Sequence, residues 1–159
     1  MSPESIAAAP THAATPSLGP LSQPARRRAY ATLGPFVLGA SLVWLVNLQA
    51  LPYVTAALAA YAGLVIALLG GVHWGLAMRQ PGAAAVRRFA WGAAAAFGGW
   101  VGVMMPAYAG LVVQGAMLVA GYAIDRRVYP AEGLAAWLTL RFRLSAVAAL
   151  CCFIAAAGA

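Results

Sequence analysis

The chain has 159 residues, 64% hydrophobic and 8% charged, with ten basic residues against three acidic ones and a net charge of +7. Soluble domains carry about a quarter charged residues, so the composition excludes an ordinary soluble domain and indicates a membrane protein. Nor does the basic balance indicate nucleic acid: every basic residue is an arginine beside an apolar segment, the placement that membrane orientation demands.

Helices are the expected spanning elements. Lipid offers backbone groups no partners, and the ten-residue alternation of a β-barrel is absent. Residues 1–28 are rich in Ala, Pro, Ser and Thr and carry one carboxylate, Glu4, and one histidine, His12. They read as a disordered tail ending in Arg26, Arg27 and Arg28. Residues 29–159 read as an all-α bundle of five transmembrane helices. The first is expected over 30–48, with Gly34 and Pro35 at its entry, and Pro52 breaks the chain after it. The second, over 53–78, is long enough to cross about 30 Å of hydrocarbon. Arg79 to Gly82 form a loop, and Arg87 and Arg88 introduce a third helix over 89–105, closed by Pro106. The fourth, over 107–124, has Gln114 inside it and ends at Asp125, Arg126 and Arg127. Pro130 and Gly133 loosen the chain before a fifth helix over 134–157.

With five spans, all ten arginines fall on one side of the membrane. By the positive-inside rule the N-terminus is cytoplasmic and the C-terminus outside. In a mitochondrial inner membrane, the alternative, the same side would face the matrix. The same arginines are expected to meet anionic lipid headgroups.

The densest motif lies in the second helix, where His73 is flanked by Gly70, Gly71, Trp74 and Gly75. His73 precedes Arg79 by six residues, which puts it roughly 9 Å inside the cytoplasmic boundary. An ionisable side chain at that depth is a candidate for proton relay, ligand contact or structural hydrogen bonding. Neither a second membrane histidine nor a membrane carboxylate is evident to complete a metal or proton pathway, so a neutral imidazole bonded to a neighbouring helix is the plainer expectation, with no metal and no cofactor. Gly71 with Gly75 and Gly98 with Gly102 are expected helix-packing pairs, and Ala116 with Ala120 a third. Arg141 begins about 24 Å of helix, so it should lie near the cytoplasmic interface and snorkel toward phosphates. The sharper alternative turns it inward to Asp125 or Glu132, joining His73 and Trp74 in one polar cluster. Cys151 and Cys152 read as packed apolar residues.

The run Gly70-Gly71-Val72-His73-Trp74-Gly75, followed by Trp100, Pro106 and Trp137 with Leu140-Arg141, resembles a family of small bacterial inner-membrane proteins of unknown function. Its eukaryotic relatives are mitochondrial proteins of the transmembrane protein 69 type. Leu33-Gly34-Pro35-Phe36 is similar to a shortened form of that family's entry motif, and Leu138 stands where the family has a tyrosine. The resemblance implies a polytopic inner-membrane protein and picks out His73, Trp74 and Arg141; it implies no activity.

Phosphate loops, paired carboxylates and nucleophile elbows are missing from the sequence. The expected function is therefore non-catalytic: an interaction or assembly component of a membrane complex, bound to a membrane-protein partner or to a second copy of itself. The alternatives are a small transporter or proton-linked permeation unit using His73, and a haem- or quinone-associated redox subunit.

Overall fold

Proline sets most of the helix boundaries. Pro35 has no N–H for the carbonyl of Ala31 and its ring crowds that carbonyl, so α1 (Gln23–Ala31) ends there and α2 (Gly34–Leu45) starts after a turn at Thr32 and Leu33. Pro52 lies in the first turn of α3 (Leu51–Ala77), where a missing donor is harmless. Pro106 caps α5 (Ala107–Val128), which follows α4 (Ala83–Met104). Two short 3-10 turns, Pro130–Glu132 and Ala135–Trp137, are separated by Gly133 at φ 72° and lead into α6 (Leu138–Gly158). The computed structural model describes residues 22–79 and 81–159, and these are all helix, turn and loop.

Several boundaries differ from expectation. Residues 1–21 of the expected tail, with Glu4 and His12, lie outside the described residues; the remainder of that tail is helical, because Pro24 opens α1 and Arg26, Arg27 and Arg28 continue it. The expected first span, 30–48, is not one helix: it takes in the last two residues of α1, a turn, and α2. Arg87 and Arg88 lie within α4, and α5 runs on past residue 124 to Val128, so that Asp125 is helical. Three helical segments are long and apolar enough to cross a membrane: Leu51–Ala77, Ala107–Val128 and Ala135–Gly158.

α3 is the central element. Its buried line of Ala59, Ala62, Gly63, Ile66, Gly70, His73 and Ala77 faces the other helices. A Cβ placed on Gly70 would lie 2.7 Å from the Gly92 carbonyl oxygen, and one on Gly99 would lie 2.9 Å from that of Gly63. Glycine at these positions lets α3 and α4 approach backbone to backbone, antiparallel. Gln114, fully buried on α5, donates its amide to the carbonyls of Ala59 at 2.9 Å and Gly99 at 3.2 Å, joining three helices. Phe36, Leu58, Leu111, Leu118, Ala148 and Cys152 fill the core around it. Two contacts each make α2 antiparallel to α3 (Phe36 with Tyr61, Gly39 with Leu58), α4 to α5 (Gly98 with Met117, Gly102 with Gln114) and α5 to α6 (Gly115 with Phe153, Asp125 with Arg141), which brings Arg79, Arg87, Arg88, Arg126, Arg127, Arg141 and Arg143 to one end of the bundle.

The expected Gly71–Gly75 packing pair is not formed within the chain. A side chain at residue 71 or 75 would meet nothing within 4 Å. Each glycine is two residues from His73, about 200° around the helix, so a buried His73 turns both outward. Gly98 and Gly102 do face a neighbour, with Met117 and Gln114 of α5 against them; Ala116 is exposed. Gly70→Ala is accordingly expected to cost about 1–3 kcal/mol in unfolding from detergent, while Gly71→Ala should be neutral or stabilising by up to about 1 kcal/mol. Equal losses at the two positions would contradict this packing.

Candidate functional site

Three helices each deliver one ionisable side chain to a common point. On α5 the buried line Leu111, Gln114, Leu118 carries round to Asp125. On α6 the line Cys152, Ala148, Ser145 leads back to Arg141, and α3 contributes His73. His73 and Asp125 are 2% exposed and Arg141 is 7% exposed. Asp125 accepts on both oxygens: His73 Nε2 lies 2.7 Å from Oδ1, and Arg141 Nε donates to Oδ2 at 2.6 Å. Arg141 Nη1 donates in turn to Ser145 Oγ. One carboxylate thereby ties α3 to α6 across α5.

The Asp125 carboxylate faces the Arg141 guanidinium on one oxygen and the His73 imidazole on the other. Trp91 stands edge-on to the imidazole, with ring centroids 6.5 Å apart at 85°. Beside the cluster is a void of about 10 Å³, lined by Ile66, Met117, Trp91 and the three ionisable residues, room for about one water. Among the described residues, no three His, Cys, Asp or Glu side chains are placed to hold a metal.

Of the residues singled out from the sequence, His73, Asp125 and Arg141 come together and Trp74 does not. Trp74 is 43% exposed; its Nε1 donates to the Phe89 carbonyl at 3.0 Å and its ring tilts against Phe89. The snorkelling expected of Arg141 is overturned, since its guanidinium turns into the bundle. The expectation that the membrane helices hold no carboxylate fails because α5 continues one turn past Ile124. Glu132 takes Arg88, with Arg88 Nη2 2.5 Å from Oε1. Sequence reasoning missed Ser145, Trp91 and Tyr129. The four-residue spacing from Arg141 to Ser145 was the available signal for the first.

Tyr129, just beyond α5, is also turned toward this cluster. Burial, and then the Asp125 carboxylate, hold its phenol above the ordinary 10.0, with Arg141 acting partly in the other direction. The folded chain thus keeps this proton better than the unfolded chain. That contribution is complete below pH 10.0 and is lost as pH rises through the folded-state value. Tyr129→Phe is expected to flatten the loss of stability above pH 10.0 in alkaline unfolding curves. An unchanged alkaline slope would contradict that placement.

Removing one partner of a buried ion pair strands the other. Asp125→Leu and Arg141→Leu are each expected to cost about 3–5 kcal/mol, and His73→Ala, which removes a single hydrogen bond, about 1–3 kcal/mol. The double variant Asp125→Leu/Arg141→Leu should recover most of the loss. Additive single losses in this cycle, measured in detergent, would show that the two residues are not coupled.

Residues 21–157 match a family described as "Protein of unknown function (DUF3429)". There is no match among curated proteins or among solved structures. The matched segment takes in all six helices but for the last residue of α6, and the chain belongs to this family of unknown function.

Proposed function

We propose that the protein is a non-catalytic, five-span inner-membrane protein that works by binding another membrane component, as an interaction or assembly subunit. The observation that carries this reading is the closure of the polar cluster. Asp125 is engaged by two side chains on other helices, Glu132 by Arg88, and the space beside His73 is about 10 Å³. Such a void admits nothing larger than about one water. Beside His73 and Asp125 there is then no room for a substrate, and the fold offers partners its lateral faces. Gly71 and Gly75, exposed on α3 next to Trp74, leave a shallow strip that another helix could approach closely.

Five spans are supported by the alternation of helix direction. In this reading α1 and α2 together make a broken first crossing, and α4, at 22 residues, is the third. The shared arginine end then faces the cytoplasm by the positive-inside rule, and the C-terminus lies outside. The bacterial inner membrane is the location that fits, and a mitochondrial inner membrane would present the same charge asymmetry to its matrix side.

One contact favours a second reading. A His–carboxylate pair within apolar helices, as at His73 and Asp125, is a pairing that proton relays use. In proteoliposomes, proton flux that falls in His73→Ala would favour it; unchanged flux would count against it.

Native purification in mild detergent, with identification of bound proteins, tests the first reading. A stoichiometric membrane-protein partner or a second copy is expected. A protein that runs alone, and stays alone after cross-linking in intact membranes, would contradict an assembly role.

A further inference from the structure

Between α2, α3 and α6 the bundle leaves a cleft of about 500 Å³, inside the ~300–1,000 Å³ range of ligand clefts. Its walls are apolar, with Phe36, Leu64, Leu68 and Leu144 among them, and α6 adds Trp137, Arg141 and Ser145. Arg141 and Ser145 are bonded to each other, and Arg141 also to Asp125. The Trp137 Nε1–H is different: it is buried and meets no acceptor among the described residues. Buried donors are nearly always paired, so this one calls for an acceptor beyond the described residues.

The charge around the cleft indicates which acceptor. α1 borders it through Ala29, immediately after Arg26, Arg27 and Arg28, and Arg143 follows Arg141 by two residues. These four arginines are exposed, and none is ion-paired among the described residues. An apolar slot lined in part by a tryptophan with an unpaired donor, beside arginines that have no ion-pair partner among the described residues, suits a molecule with an acyl chain and an acidic head.

We propose that this cleft holds one anionic phospholipid from the arginine-bearing leaflet. An acyl chain lies along Phe36, Leu64, Leu68 and Leu144, and the phosphate lies within the field of the arginines and takes the Trp137 Nε1–H once the indole turns toward the cleft. The proposal rests on the membrane residence put forward above and is independent of the assembly role.

The test uses the full chain, delipidated in detergent and titrated with phosphatidylglycerol or phosphatidylcholine, with bound lipid counted by native mass spectrometry. One tightly held phosphatidylglycerol is expected, with roughly tenfold preference over phosphatidylcholine. Trp137→Phe, which removes the donor, and Leu144→Trp, which fills the slot, should each abolish that preference while keeping wild-type helix content. Excess inorganic phosphate should not displace the lipid. Phosphatidylglycerol with a photoreactive acyl chain should label the α3 and α6 segments around Leu68 and Leu144 in the wild-type protein, independently of either variant. Equal retention of the two lipids, displacement by phosphate alone, or labelling confined to other helices would overturn the proposal. Release of the protein from membranes by alkaline carbonate would instead overturn the membrane residence on which it rests.

Discussion

Much of this fold depends on one carboxylate having two donors. Asp125 is almost wholly removed from solvent, and a charge in such a place is tolerable only when paired and hydrogen-bonded. Its two oxygens are taken by different helices, so satisfying the charge fixes α3 against α5 and α5 against α6 together. The arrangement fixes rotation as well as distance. Turning any one of the three helices by a single residue would withdraw its group from the cluster and leave charge stranded in a medium that cannot solvate it.

At another level of the bundle the same problem has a different solution. Apolar side chains gain little from meeting one another in lipid, so association rests on close approach and on polar contacts that are too costly to leave unmade. Gly63 and Gly99 bring two backbones together, and the buried Gln114 amide donates to carbonyls on both α3 and α4. The neutral amide and the ionic cluster lie three helical turns apart on α5, between Gln114 and Asp125. Together they align α5 at two points along its length. Helix α2 is less constrained, being short and separated from α1 by the turn before Pro35, and it forms one wall of the 500 Å³ cleft.

The all-helical class and the prolines at the breaks were legible from composition and from residues that cannot donate a backbone hydrogen bond. Relative level was legible in part: counting back from Arg79 and forward from Arg141 left Arg141 within reach of His73, and the two meet through Asp125. Rotation was not legible, because a nearly uniform apolar helix has no polar face to fix its phase. That is why Gly71, His73 and Gly75 read as one motif although the helix sets the glycines opposite the histidine. The run Asp125-Arg126-Arg127 resembled a loop, yet no breaker occurs before Pro130, and the extra turn carried Asp125 inward while Arg126 and Arg127 stayed exposed. Arg141 looked bound for the lipid headgroups only because the acceptor that holds it was assigned to that loop.

The central claim is that Asp125 holds α3 and α6 in register. Pulsed electron paramagnetic resonance reports this directly, using spin labels at Met78→Cys and Ala146→Cys, both exposed positions, with Cys151 and Cys152 replaced by serine. The account predicts a single narrow distance in the otherwise unaltered chain and a broadened distribution in Asp125→Asn. An Asp125→Asn distribution as narrow as the parent's would contradict it.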